Sequence, residues 1–332
     1  MKICILLGGA SPERHVSYET AKSIGSSLKS LGHEMRYCDP ALPFADRHSI
    51  QDKMDNNDIS DDDFKASYLL NENELPTYIQ WMKHKKFDII FNAMHGGNGE
   101  NGSIVAHFEL AGIAFTGSGS AASALAMDKY RSKILFQGAG IPTADFELCQ
   151  VPANYPEKIQ YPLVIKPSRT GSSVGLNIVM EKKSIFEECR EALFYDNEII
   201  IESYIAGREL TVAIVAGKAQ PVVEIEPKSG VYDYESKYEE GGSQYYVPAS
   251  ISEKATDKIQ ELALKVYDLL GLQNYARIDF RMDKNEQFYC LEANTLPGMT
   301  STSLLPKSLK SKGVEFPELL EMIIEDALKL RT

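Results

Sequence analysis

A single tryptophan, Trp81, and six histidines are all that 332 residues contain of these types, and the five cysteines are scattered. No Cys-x-x-Cys pair or Cys/His cluster offers the ligand spacing of zinc. Cys4, Cys38, Cys149, Cys189 and Cys290 sit mostly in apolar runs and are expected to be reduced, buried and structural. No apolar run reaches the ~20 residues of a membrane span. The segment Met1–Gly8 lacks the length and small-residue cleavage site of a secretory signal. A cytoplasmic protein without membrane association is therefore expected. Positive charge is also short: 35 Lys plus Arg stand against 47 Asp plus Glu, a net charge of −12. Such a chain has no footprint for nucleic acid, and a small anion could be held only by locally concentrated cations. No GxxxxGK[ST] string occurs, which excludes a Walker-type loop. The string Gly97-Asn98-Gly99-Glu100-Asn101-Gly102 satisfies GxGxxG, but Ala114–Ser118 lacks the acid that would hold a ribose, so no nicotinamide site is expected.

What is present is ordinary globular material, 43% hydrophobic and 25% charged, enough for two or three domains. Strand patterns at Lys2–Leu7, His33–Cys38 and Phe87–Met94 alternate with helical ones at Ser17–Leu31 and Ser103–Ala111, which implies a parallel sheet. An acidic insertion, Asp46 to about Glu74, reads as a solvated loop or short helix. A helical stretch is expected over Ala121–Gly138. An α+β unit follows, with strands at Leu163–Pro167 and Glu198–Tyr204 and a helix near Ser184–Phe194. Strands at Glu209–Val215 and Ala219–Glu226, a Tyr- and Lys-rich loop, an amphipathic helix around Ile259–Leu270, a hairpin and a C-terminal helix at Phe316–Leu330 complete the pattern.

Two segments carry chemistry. In the hairpin Tyr275–Met282/Gln287–Asn294 the period of two puts Arg277 and Asp279 on one face, opposite Asn294 and Glu292. Ile278, Phe280, Leu291 and Ala293 then supply the apolar face. Two carboxylates and an amide beside an Arg form a hard-oxygen cluster that suits Mg²⁺, although a surface salt-bridge patch fits the hairpin alone equally well. In Val164–Gly175, Lys166 ends a strand before a Ser/Gly-rich turn whose N–H groups could cover phosphates; a plain hairpin turn is the alternative.

Taken in chain order, the motifs resemble the D-alanine–D-alanine ligase family of the ATP-grasp superfamily. They are Leu7–Ser17, His95-Gly96, Thr116-Gly117-Ser118-Gly119, Met127-Asp128-Lys129, Lys166–Gly175, Glu202, Gly207–Val212, Tyr232–Tyr238, Ala276-Arg277-Ile278-Asp279 and Leu291–Thr300. The resemblance implies a three-domain ATP-grasp fold, α/β and α+β: an N-terminal Rossmann-like parallel-sheet domain over 1–119, a central subdomain over 120–204 and a C-terminal one over 205–332. It implies a ligase that joins two D-alanine molecules through a D-alanyl phosphate for peptidoglycan precursors, with D-alanine–D-lactate, D-alanine–D-serine or another carboxylate–amine ligation as the alternative. ATP is implied against Lys129, Lys166, Ser173, Glu202, Tyr204, Ile205, Glu209, Lys237 and Asn294, with Glu202 at the adenine amino group. Two Mg²⁺ (or Mn²⁺) fall to Asp279, Glu292 and Asn294. D-alanine falls to Glu13, His95, Arg277, Gly298, Ser303 and Leu304. Glu13, Ser172 and Tyr238 match a hydrogen-bonded trio that closes a loop over the site, and the Tyr238 string favours D-alanine as acceptor. Arg277 and the Gly298 N–H match donors to a tetrahedral oxyanion. The family precedent is a homodimer. Ser203, Tyr204, His15 and Thr302 depart from common family choices.

Overall fold

The computed structural model describes all residues except 61–62, 64–73, 153–159, 183–184, 229–240 and 332. Strand β1 (Lys2–Leu6) is flanked by β2 (Glu34–Cys38) and β3 (Ile89–Asn92) in a parallel sheet of order β2-β1-β3. A strand buried on both faces reads as continuous apolar sequence, and its period of two sorts the faces. Ile3 and Ile5 meet α1 (Arg14–Ser30) through Ile24 and Leu28. Cys4 and Leu6 meet α3 (Leu75–Lys85) and α5 (Ser103–Ala111) through Tyr78, Met82, Val105 and Phe108. Helix α2 (Arg47–Asn56) is a short helix within the acidic insertion, and α3 follows it. The short α4 (Gly97–Glu100) turns the chain after β3.

The expected helical stretch over Ala121–Gly138 is two helices, α6 (Ser120–Met127) and α7 (Lys129–Gly138). Asp128 breaks it: its backbone is extended, at φ −86° and ψ 92°, and its carboxylate accepts the Arg131 N–H as an N-cap. The interruption leaves Lys129 at the first position of α7.

The central antiparallel sheet has the order β4-β7-β5-β6, from Phe146–Cys149, Ile199–Ser203, Leu163–Pro167 and Asn177–Val179. Helix α8 (Ile185–Tyr195) covers one face through Ile185, Cys189 and Ala192. The third sheet runs β11-β10-β8-β12-β13, with β8 at Arg208–Val215, β10 at Val223–Pro227, β11 at Ser243–Tyr246, β12 at Tyr275–Met282 and β13 at Phe288–Asn294; β9 (Lys218–Ala219) pairs with β8. Helix α9 (Glu253–Leu269) buries Ile259, Ala263 and Val266 against this sheet, and α6 and α7 join the same core through Ala122, Ala126 and Phe136. After α10 (Leu304–Lys310), helix α11 (Phe316–Arg331) returns to the first sheet and packs Leu320, Ile323 and Ala327 in one cluster with Ile3 and Ile5. All five cysteines are free and buried. Among the described residues, no helix is long and apolar enough to cross a membrane.

Candidate active site

The hairpin pairs Arg277 with Asn294 and Asp279 with Glu292, as expected. Thr211 Oγ1 donates to Asp279 Oδ1 at 2.6 Å, Asn294 Nδ2 donates to Oδ2 at 3.0 Å, and Arg277 makes a two-pronged pair with the same carboxylate at 2.9 and 2.8 Å. Just past Asp279 the register slips by one residue, so that Phe280 faces Cys290. This bulge overturns the expectation for Leu291. The unpaired residue is re-aimed, and Leu291 lines a cleft with Glu292 instead of joining the apolar face.

Two clefts meet at this hairpin. The first, about 960 Å³, is walled by Lys129, Lys166, Ser172, Ser173, Glu202, Tyr204, Ile205, Glu209, Asp279 and Glu292. Lys129 reaches Glu292 Oε2 at 3.3 Å and donates to the Thr170 carbonyl at 2.8 Å. Lys166 Nζ pairs with Glu202 Oε1 at 2.6 Å. Burial pushes the Lys166 ammonium down, but Glu202 and then Glu292 outweigh it and hold its pKa above the ordinary lysine value. Burial likewise pushes Glu202 up, yet Lys133 and Lys166 hold it down at about 2.

The second cavity, about 1350 Å³, gathers Glu13, His95, Arg277, Asn294, Gly298, Ser303 and Leu304. Its wall includes Gly171, Ser172 and Glu292, which it shares with the first. Ser172 Oγ donates to Glu13 Oε1 across 159 residues of sequence. Gly96 adopts φ +63°, and a Cβ there would stand 2.3 Å from Glu13 Oε2, so only glycine lets the backbone approach this carboxylate. His95 Nε2 bonds Thr20 Oγ1 at 3.0 Å; burial holds its imidazole below the usual range while Glu13 pulls the other way. Ser303 is the N-cap residue of α10, and its Oγ accepts the Thr300 N–H at 3.1 Å. Asn294 lines this cavity and not the first cleft. Lys237 and Tyr238 lie outside the described residues, as does the rest of the 232–238 string.

Three polar residues of the site were missed from the sequence. Arg281 bridges Glu209 at 3.2 Å and the Ile205 carbonyl at 3.1 Å, and its guanidinium lies 5.6 Å from the Tyr204 ring centre. The alternation that joins Arg277 to Asp279 extends to it. Glu100, inside the GxGxxG string, is buried in the neck between the clefts and accepts the Gly96 N–H at 3.2 Å. Burial and then Glu13 push its carboxyl up to about 7. Lys133 stands behind Glu202, and one turn of helix from Lys129 was its only signal.

The sequence family described as D-ala D-ala ligase N-terminus matches residues 2–118, and that described as D-ala D-ala ligase C-terminus matches residues 135–325. Among similar proteins, the D-alanine–D-alanine ligase of Aquifex aeolicus is 37% identical, over 98% of this chain and 100% of that one. That of Synechococcus sp. (strain JA-2-3B'a(2-13)) is 36% identical over 99% and 94%. The crystal structure of D-alanine–D-alanine ligase from Bacillus anthracis complexed with ATP superposes with a TM-score of 0.79 at 28% identity, covering 100% of this chain and 98% of that one. The VanG D-Ala:D-Ser ligase from Enterococcus faecalis gives a TM-score of 0.77 at 28% identity, over 98% and 99%.

Proposed function

This chain belongs to the D-alanine–D-alanine ligase family, and on that premise we propose that it is an ATP-dependent, ADP-forming ligase that joins two D-alanine molecules for peptidoglycan precursor synthesis. The observation that carries the reading is the meeting of a cleft lined by Lys129, Lys166, Glu202 and Asp279 with a cavity holding both Glu13 and Arg277, with Glu292 in the shared wall.

The chemistry asks for such a junction. The carboxylate of the first D-alanine attacks the γ-phosphorus of ATP, which brings like charges together, and Lys129 and Lys166, both lining the first cleft, suit the role of offsetting them. The products of this step are ADP and D-alanyl phosphate. The amine of the second D-alanine then attacks the acyl carbon, loses a proton and expels phosphate. The tetrahedral oxyanion needs preorganised donors, a role that fits Arg277 and the Gly298 N–H. Glu13 suits the ammonium of the first D-alanine, and Ser303 with the Leu304 backbone suits the carboxylate of the second. The family resemblance implies a trio of Tyr238 with Ser172 and Glu13 and a phosphate role for Lys237, and both Tyr238 and Lys237 lie outside the described residues.

Asp279, Glu292 and Asn294 are the residues that would hold two Mg²⁺ or Mn²⁺. Two carboxylates and one amide are too few for a closed protein cage, and they suit a cation that completes its shell with substrate phosphates. Such ions neutralise triphosphate charge as it shifts. A homodimer and a cytoplasmic location belong to the same proposal.

The test is release of ADP and phosphate from Mg-ATP with D-alanine, with L-alanine, and with each substrate omitted, the dipeptide being identified by mass. D-alanyl-D-alanine formed only with D-alanine is the expected result. ATP binding without D-alanine-dependent turnover would refute the ligase assignment.

A further inference from the structure

Lys133 is a lysine whose side chain is wholly buried. It stands behind the first cleft, on α7, and its ammonium pairs with Glu202 Oε2 at 2.8 Å. Its ammonium donates to Thr143 Oγ1, which in turn donates to the Cys290 carbonyl at 2.7 Å. The other oxygen of Glu202 takes Lys166. Two ammoniums thus share one buried carboxylate. One cation would balance it, and burying a second is expensive in itself.

The two lysines differ in what they can reach. Lys166 ends β5 on the cleft wall, facing Glu292 as well as Glu202. Lys133 is tethered by Thr143 and screened from the cleft by Glu202. If Lys166 were the only counter-ion, moving to a phosphate would strand Glu202 as an uncompensated buried charge.

Resting on the ATP-dependent reading above, we propose that Lys133 is a positioning residue for nucleotide binding: it remains on Glu202 as the permanent counter-ion, which frees Lys166 for the triphosphate and keeps Glu202 ionised toward the purine. Lys133 touches no substrate in this arrangement and acts only through Glu202.

The experiment measures the Kd of Mg-ATP by calorimetry for wild type, Lys133→Met, Glu202→Gln and the double variant, without D-alanine. Lys133→Met is expected to raise Kd by about tenfold, the scale of one charge-assisted contact. In the double variant no buried carboxylate needs a counter-ion, so its Kd should return to within about twofold of Glu202→Gln alone, a double-mutant coupling that a merely structural role lacks. An unchanged Kd in Lys133→Met, or a double variant weaker than Glu202→Gln by about the same tenfold factor, would overturn the proposal. If Lys133→Met does not fold, Lys133→Gln takes its place in the same cycle, with the same outcomes expected. Wild type that binds ATP but forms no dipeptide would sink the ligase reading and leave this test standing.

Discussion

Replacing Arg14 by Met perturbs the loop that carries Glu13. The Arg14 and Asp39 side chains are 1% and 0% exposed, and the guanidinium holds Asp39 at 2.5 Å, the Gly9 carbonyl at 2.9 Å, the Tyr18 hydroxyl at 3.0 Å and the Asp63 carbonyl at 2.7 Å. Removing one member of a buried pair costs about 3–5 kcal/mol because the other charge is left uncompensated. Asp39 keeps the Gly9 N–H, the Ala41 N–H and the Tyr18 hydroxyl, which favours the lower end, about 3 kcal/mol. At roughly 2–4 °C per kcal/mol, the unfolding midpoint should fall by about 6–12 °C. The single tryptophan makes this measurable: Trp81 is half-buried on α3, across the same first sheet from Arg14, 6.3 Å from Phe44 and 5.5 Å from Phe87 between ring centres, so its fluorescence follows this unit. Arg14→Met/Asp39→Asn removes both charges and should recover at least half of the loss. The KM for D-alanine should rise in the single variant as the Gly9–Glu13 backbone loses its anchor. A midpoint within about 2 °C of wild type, or a double variant that is simply additive, would refute the buried-charge argument.

Glu100→Gln tests the carboxyl in the neck. Its folded pKa of about 7 exceeds the ordinary 4.5, so the ionised group destabilises the fold as pH rises through that window. The variant should match wild type near pH 4.5 and gain about 3 kcal/mol over it above pH 7, by denaturant melts; a pH-independent difference would contradict the assignment. Glu292→Gln should keep the wild-type unfolding midpoint and lose at least about a hundredfold in Mg²⁺-dependent turnover, on the scale of a removed transition-state contact; near-normal turnover would sink the metal role. Gly207→Ala forces a Cβ to within 2.0 Å of the Met282 carbonyl at φ +140°, beside the Arg281 contact with that loop. It should destabilise by about 2 kcal/mol or more and raise the KM for ATP, and a neutral outcome on both would contradict the packing.

Much of the site was legible because strand periodicity is a local property. The period of two grouped Arg277 with Asp279 and Glu292 with Asn294, the two groups that the observed pairing brings opposite each other past a one-residue bulge, and strands alternating with helices implied the parallel first sheet. The family followed from motifs whose order along the chain is itself sequence information. What was missed arises where a local preference has a long-range competitor. Asp128 breaks a helix that composition would continue, because its carboxylate is worth more as a cap that presents Lys129 to the cleft. Leu291 leaves the apolar face because the bulge is set by pairing between β12 and β13, not by the sequence of either alone. Lys133 and Glu100 look like surface charges in one dimension; only when Glu202 and Glu13 arrive from distant segments do they become buried counter-charges. Helix α11 shows the same limit, its apolar stripe evident in sequence but its place against the first sheet chosen by the packing of Ile323 and Ala327 beside Ile3 and Ile5. The chain by itself determined its strands, its family and the face that carries the chemistry. The tertiary structure decided which charges are buried and which partner each one keeps, since burial and ion pairing depend on residues that meet only after the chain has folded.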